Sequence, residues 1–364
     1  MKHVGFTPTT LLTPADSKVL VDNYVTPILK ERTEAARRIN PHYETLWQDI
    51  QKLYSAGGKR LRSYMTLLAY DAFSPIKQPI ETILPAAAAQ ELLHVAMLIH
   101  DDIIDRDDMR YGVKNVTREY LDHYEEIIEN AVDRRHYAQS AAILAGDLLI
   151  SEAYILITEA TASPAAVLAA QKLLAQAMFH VIGGELMDTE AAFRGVDAAD
   201  PLVIAEQKTA SYSFVSPFVM GATLAEADAA QMEILTKFGE QLGIAYQLRD
   251  DIIGVFGNQA LTGKSTDGDI REGKRTFLIG EFNKLSTPMQ RAKFDALFGR
   301  HDLTNAEITT VKNLLIDSGA KEAVEILIAA YQEHTHALLL TLAIEPNYKA
   351  AFSHLIELCL TRDR

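Results

Sequence analysis

The chain has 364 residues, 48% of them hydrophobic and 23% charged, which is the balance of a globular protein and excludes a disordered, coiled-coil or collagen-like chain. The net charge of −14 argues against general nucleic-acid binding, which needs a basic surface. The single cysteine, Cys359, cannot form an intramolecular disulfide, and Met1 to Pro14 contains no apolar stretch long enough for a signal peptide. We therefore expect a cytoplasmic protein.

Apolar residues recur at spacings of three and four along most of the chain, which indicates helices. Ser163-Pro164 and Asp200-Pro201 are typical of helix starts, and Pro217 should kink the helix that contains it. No stretch alternates with a period of two between turn residues, so no sheet is predicted. We predict helices over residues 85–105, 141–160, 167–188, 200–224, 229–256, 306–317 and 320–343.

The domain organisation predicted from this pattern is one large all-α domain over residues 1–364. A polar excursion at about 107–139 interrupts it and is expected to close near a site. The most apolar stretches, 84–104 and 322–343, both carry ionisable side chains. No membrane span is therefore predicted.

Acidic clusters follow two of the apolar helices. Asp101 and Asp105 stand one helical turn apart, where they repel each other and face the negative end of the helix dipole. Such oxygen ligands suit Mg²⁺ completed by substrate phosphates, although a solvated helix end capped by nearby arginines is the alternative. Asp250 and Asp251 form a second cluster about 150 residues later. The two clusters together favour helices that face each other across a cavity and share metal ions.

Basic residues have a complementary distribution. Two glycines precede three cations in GGKRLR at 57–62, a pattern that can bring backbone and side chains to a phosphate. Lys208 lies inside an apolar helix, where an unpaired lysine is costly, and Lys264 and Lys274 follow the second acidic cluster. Singly, these residues are also explained as a solvated turn or a snorkelling lysine. Together they indicate a site for two diphosphates, one held through metal and one held directly.

At these residues the sequence resembles the trans-isoprenyl diphosphate synthases, or polyprenyl synthetases. The resemblance implies an isoprenoid synthase fold, an all-α bundle around a deep central cavity, in a homodimer. It also implies a Mg²⁺-dependent transferase that condenses isopentenyl diphosphate with allylic diphosphates. The colinear motifs are GGKRLRS at 57–63, ELLHVAMLIHDDIID at 91–105, ILAGD at 143–147, GGELMD at 183–188, KT at 208–209, YQLRDD at 246–251 and GDIREGK at 268–274.

The same resemblance implies roles at the allylic site. Three Mg²⁺ ions would bind through Asp101, Asp105 and Asp250. Asp102 and Asp251 would orient water on the metals, and Asp269 would act through a water molecule. The allylic diphosphate would also contact the cationic side chains Arg110, Lys208, Lys264 and Lys274.

Isopentenyl diphosphate would bind without metal to Lys59, Arg62 and His94. By position alone His94 is either a core histidine or a ligand, and the resemblance favours the ligand. Thr209 and Gln247 match positions whose dipoles stabilise the allylic cation in a dry cavity.

The sequence departs from the family pattern at several positions. Tyr111 stands where a second arginine is usual, Gly254 replaces an aspartate of the second acidic motif, Glu185 replaces a common glutamine, and Ser63 replaces a proline. Because of Tyr111 and Gly254, a catalytically weak partner subunit remains an alternative function. A class I terpene cyclase is a further alternative, but it needs no site for a second diphosphate.

Product length is expected to depend on the residues just before Asp101. Ala96 is too small to block the cavity, whereas Met97 narrows the cavity with a flexible side chain. Leu93 lies one helical turn deeper in the cavity. Family members that stop at fifteen carbons usually carry aromatic rings at the positions of Met97 and Ala96, so the resemblance implies geranylgeranyl diphosphate as the main product, with longer polyprenyl diphosphates as the alternative. Ordinary core residues, with the depth set elsewhere, would also explain it.

Overall fold

A computed structural model describes residues 11–75, 78–194, 200–257 and 267–361. These residues are almost entirely helical, which confirms the predicted all-α class. The helices before residue 195 are α1 (Pro14–Ile39), α2 (Pro41–Ala56), α3 (Leu61–Phe73), a short 3₁₀ helix (Ile80–Thr82), α4 (Leu84–Ile104), α5 (Val116–His123), α6 (Ala131–Thr158) and α7 (Pro164–Arg194).

The second half of the chain is also helical. One segment, Ala205–Val215, is a π-helix between two α-helices. The α-helices are α8 (Pro201–Ile204), α9 (Ser216–Leu224), α10 (Ala229–Phe256), α11 (Gly268–Glu272), α12 (Phe277–Leu285), α13 (Pro288–Asp295), α14 (Asn305–Asp317), α15 (Ala320–Thr341) and α16 (Pro346–Leu360).

The helix starts follow the local sequence signals. Ser163 Oγ accepts a hydrogen bond from the backbone of Ala166 at 3.2 Å, and Asp200 caps α8 through Leu202 N at 3.0 Å. The predicted interruption at Pro217 coincides with the change from π to α geometry at Ser216. The helix predicted over 200–224 is therefore three segments.

The expectation of no sheet was wrong for one hairpin inside the polar excursion. Strands β1 (Met109–Arg110) and β2 (Val113–Lys114) pair antiparallel around a two-residue turn. Tyr111 and Gly112 both have positive φ, 53° and 77°, as a type I′ turn requires. Strands of two residues are too short to show alternation, and tyrosine is an unusual residue for this turn, so the hairpin could not be predicted from the sequence.

Two compact units divide the chain, Met1–Leu173 with Pro217–Ala227 and Leu174–Ser216 with Asp228–Arg364. In the first unit, α4 packs against α6 and α3, and most of α4 is buried. In the second, α10 packs against the π-helix and α15. Each unit thus has a buried central helix that ends in an acidic motif. A single domain with a central cavity stays a prediction.

Within the described part of the chain, two helices are long and apolar enough to cross a membrane by length and composition alone, α6 and the part of α7 over Pro164–Ala191. From the sequence, both segments are predicted as helices, over 141–160 and 167–188, and the stretches considered as membrane spans lie elsewhere. This is weak evidence for a membrane span, because core helices of soluble proteins pass the same test. In α6, half of the apolar window is buried in the protein.

Candidate active site

The first acidic motif lies at the end of α4. Backbone Asp105 N donates to Asp101 O at 2.8 Å, which keeps the two residues one helical turn apart. Their carboxylate oxygens come within 4.8 Å of each other, close enough to share a cation. Such an all-oxygen donor pair fits Mg²⁺, which retains several waters and binds through one or two carboxylates.

Arg110 from β1 lies among the carboxylates of this motif. Its Nε donates to Asp102 Oδ1 at 2.7 Å, and its Nη2 lies 3.3 Å from Asp101 Oδ2 and 3.6 Å from Asp107 Oδ2. Asp102 is buried, and burial raises the pKa of this carboxyl to about 6 although Arg110 opposes the rise. Arg110, which is expected to contact diphosphate, therefore also balances part of the negative charge of the first acidic motif. The hairpin turn is what returns Arg110 to the end of α4.

The turn between α2 and α3 contains the GGKR motif. Gly58 has a φ of +104° and Arg60 a φ of +54°, so the chain reverses sharply before α3 begins at Leu61. Arg60 is buried, donates to Asp22 Oδ1 at 2.8 Å and to Tyr54 O at 2.7 Å, and stacks on the Tyr54 ring. Of the three cations in this motif, Arg60 thus supports the turn.

Tyr111 packs against the same turn. A Cβ at Gly57 would lie 2.7 Å from Tyr111 Cγ, so only glycine leaves room for the ring. Burial raises the pKa of the Tyr111 phenol, while Arg62 and Arg110 oppose the rise. The residue that replaces the family's arginine is therefore a neutral ring among arginines.

His94 lies on α4, partly buried, near the basic turn. Its pKa is held well below the ordinary value by burial and by the positive charges of Arg62, Arg110 and Arg60. A neutral imidazole still donates one N–H, so it can contact a diphosphate without adding charge. The first unit therefore brings together Arg62 and His94 of the predicted metal-free site. Lys59, the third member, belongs to the same turn.

In the second unit, Lys208 lies in the π-helix and faces α7. A Cβ at Gly184 would lie 2.3 Å from Lys208 N, so glycine is what allows this close approach. Lys208 Nζ lies 2.6 Å from Asp188 Oδ2 and 2.9 Å from Glu185 Oε2. Both carboxylates belong to the GGELMD motif, where their spacing of three residues places them on one helix face.

Thr209, Gln247 and Asp251 form a hydrogen-bonded chain. Thr209 Oγ1 donates to Gln247 Oε1 at 2.6 Å, and Gln247 Nε2 donates to Asp251 Oδ1 at 2.8 Å. The Gln247 amide is thereby fixed in one orientation. The pKa of Asp251 is raised well above its ordinary value by burial and by the charges of Asp250, Asp269 and Asp188. Several carboxylates therefore concentrate negative charge at the end of α10, a field that favours bound cations.

Of the remaining predicted residues, all but one lie in the described part of the chain. Lys274 Nζ lies 3.4 Å from Glu272 Oε2 and 3.9 Å from Asp269 Oδ1. Lys264 lies outside the described residues. On α4, the chain-length candidates Leu93 and Ala96 are fully buried, and Met97 is partly exposed.

Comparison with known proteins shows which protein family the chain resembles. Residues 43–315 match the polyprenyl synthetase family. A short chain isoprenyl diphosphate synthase of Methanocaldococcus jannaschii is 31% identical over 82% of this chain and 81% of its own length. A geranylgeranyl diphosphate synthase of Methanosarcina mazei is 31% identical over 80% of this chain and 82% of its own.

A solved structure gives the same result. Geranylgeranyl pyrophosphate synthase from Corynebacterium glutamicum, complexed with isoprenyl diphosphate and magnesium, superposes with a TM-score of 0.89 at 28% identity. The match covers 96% of this chain and 100% of that chain. The all-α fold with two acidic motifs is that of a prenyltransferase. The chain belongs to the polyprenyl synthetase family, whose members are Mg²⁺-dependent transferases.

Proposed function

We propose that the chain condenses isopentenyl diphosphate with allylic diphosphates head to tail and that its main product is geranylgeranyl diphosphate. Family membership and the named relatives support the reaction. The feature that supports this product length is the order of side-chain sizes on α4 before Asp101, where Ala96 is small and Leu93, one turn further from Asp101, is larger. We propose that Leu93 limits the length of the growing chain.

The allylic half of the reaction is the departure of diphosphate. Bound Mg²⁺ supplies the positive charge that neutralises the leaving group. We propose three ions, held by Asp101, Asp105 and Asp250, with Asp102 and Asp251 orienting water. The cationic side chains proposed to contact the allylic diphosphate are Arg110, Lys208, Lys264 and Lys274.

The second half is attack by isopentenyl diphosphate. Lys59, Arg62 and His94 hold its diphosphate directly, while the fixed dipoles of Thr209 and Gln247 stabilise the allylic cation. The double bond attacks the cation, and the proton then lost goes to the departed diphosphate. No side-chain base is needed.

One assay tests this proposal. The purified protein is incubated with Mg²⁺, isopentenyl diphosphate and each allylic diphosphate in turn, and the products are identified by mass. We expect geranylgeranyl diphosphate from every shorter primer. Products that stop at farnesyl diphosphate would contradict the proposed length. A hydrocarbon formed without isopentenyl diphosphate would identify a terpene cyclase, and no turnover would identify a partner subunit.

Two variants test directly whether the side of α4 before Asp101 sets the product length. Ala96→Phe should shorten the product because the ring fills space beside the growing chain. Met97→Ala should lengthen it because the removed side chain leaves volume that a prenyl tail can occupy. Unchanged products from Ala96→Phe would place the determinant of length elsewhere.

We further propose a homodimer in the cytoplasm. Along α7, the side chains of Phe179, Ile182 and Leu186 are 77%, 56% and 68% exposed, an apolar stripe that a second copy would cover. Phe179→Glu should then give a monomer in analytical ultracentrifugation. Met289→Glu on α13 is the matched control, because Met289 is equally exposed outside the stripe.

A further inference from the structure

The first turn of α3 is not capped by its own sequence. Arg60, the residue before the helix, has a φ of +54° and provides no side-chain cap. The first backbone N–H groups of a helix have no partner inside the helix and need an acceptor elsewhere. Ser63, the third residue of α3, is fully buried, so bulk water cannot supply that acceptor. The start of α3 therefore needs an acceptor from another element.

Glu91 of α4 provides this acceptor. Ser63 N donates to Glu91 Oε1 at 3.1 Å, and the Ser63 hydroxyl donates to Ala87 O at 2.8 Å, one helical turn earlier on α4. Glu91 is 1% exposed, so the hydrogen bond to its carboxylate is shielded from water. A negative charge at a helix N-terminus is also stabilised by the helix dipole. The cap of α3 thus comes from α4, and both donors of Ser63 are used.

The capped turn belongs to the predicted site for isopentenyl diphosphate. Arg62 directly precedes Ser63, and Lys59 lies in the turn that leads into α3. On α4, His94 lies three residues after Glu91, so the two side chains share one face of the helix. The cap therefore joins the two elements whose side chains would hold the same diphosphate.

We propose that Glu91 is a positioning residue for isopentenyl diphosphate and that it acts through Ser63. Its carboxylate fixes the start of α3 on α4, and thereby the spacing between the basic turn and His94. The inference rests on the proposed function, since it concerns a diphosphate site of that reaction. The arrangement depends on serine, because the proline usual at position 63 has no N–H to donate to a carboxylate.

The test measures binding of isopentenyl diphosphate without metal. Calorimetry compares the wild type with Glu91→Ala, Glu91→Gln, Ser63→Pro and the double variant Glu91→Ala/Ser63→Pro. Glu91→Ala leaves a buried N–H without its acceptor and should weaken binding about 10-fold, the worth of one hydrogen bond to a charged group. Glu91→Gln keeps an oxygen acceptor in the same shape and should recover most of that loss. In the Ser63→Pro background no N–H remains to be satisfied, so Glu91→Ala should weaken binding about 2-fold or less.

Controls separate positioning from a general loss of structure. The Michaelis constants for isopentenyl diphosphate and for the allylic diphosphate are measured together, and we expect Glu91→Ala to raise only the first. Glu152→Ala is the matched control and should leave both unchanged, because Glu152 is buried in the same unit but pairs with Arg32 of α1. If Glu91→Ala does not fold, Glu91→Met replaces it, because methionine has a similar length and no oxygen acceptor.

Three results would overturn the inference. They are unchanged metal-free binding in Glu91→Ala, equal losses for both substrates, and the same loss from Glu91→Ala in the wild-type and Ser63→Pro backgrounds. A wild type that binds isopentenyl diphosphate without metal but forms no product would instead refute the proposed function, while the binding series still decides the role of Glu91.

Discussion

At the first acidic motif a guanidinium lies among the carboxylates, whereas at the second the buried Asp251 accepts its hydrogen bond from a neutral amide. Arg110 contacts both Asp101 and Asp102, and it opposes the rise that burial causes in the pKa of Asp102. For Asp251, the charges of three neighbouring carboxylates add to the effect of burial. The Asp-Asp pair that the two motifs share thus occurs in two electrostatic settings.

The two motifs are therefore expected to depend differently on added cations. An ion pair already balances part of the charge of the first motif before any metal binds. The second motif concentrates negative charge, so its ionised form gains more from an ion. We infer that the first motif depends more on Arg110 for its stability without metal, and that the second motif gains more from a bound cation.

The largest expected effect is on catalysis, where both motifs should be required. Asp101→Ala or Asp250→Ala should each lower turnover roughly 10³-fold, because losing one main electrostatic contact to the developing charge costs about 4 kcal/mol. Steady-state kinetics at saturating Mg²⁺ measures this. Full activity of the wild type in excess chelator would contradict it.

The free energy of unfolding, measured in chelator, should distinguish the two acidic motifs. Arg110→Met should lower the free energy of unfolding by about 3 kcal/mol, because it leaves buried Asp102 without its charged partner. Asp251→Asn should not lower it, because an amide of the same shape removes the cost of a buried charge. Denaturant unfolding followed by circular dichroism compares the two. Equal losses in both variants would show that the two settings do not differ.

The two diphosphate sites should separate kinetically. Lys59→Ala or Arg62→Ala should raise the Michaelis constant for isopentenyl diphosphate about 10–100-fold, the worth of one charged hydrogen bond. Lys208→Ala should instead slow ionisation of the allylic substrate, which single-turnover measurements detect. If Lys59→Ala weakened only allylic binding, the assignment of the two sites would be reversed.

The smallest expected effect concerns Tyr111. Tyr111→Arg should tighten isopentenyl diphosphate binding several-fold, since it adds a charge-assisted phosphate contact beside Arg62. Equilibrium binding of isopentenyl diphosphate measures the change. Unchanged affinity would indicate that another cation, such as Lys114 or Arg118, already fills the role.

The sequence predicted the central helices because their apolar periodicity is strong, and α10 has the predicted bounds, 229–256. It missed α1, where only one narrow stripe that includes Val21, Val25 and Leu29 is buried. The π geometry around Lys208 could not be predicted, because hydrogen-bond register inside an apolar helix depends on packing against α7. Helix spacing placed Asp101 and Asp105 together, whereas the approach of Asp269 to Gly254 depends on the packing of α11 against α10.

The pairing of Asp22 with Arg60 bears on where the functional unit begins. The family match starts at residue 43, yet Asp22 of α1 accepts hydrogen bonds from buried Arg60 at 2.8 Å and from Tyr54 at 3.1 Å. A chain shortened to the matched residues would leave a buried guanidinium without its carboxylate beside the basic turn. The folded unit therefore extends beyond the family match, because α1, an N-terminal helix outside the match, supports the turn that carries the GGKR motif.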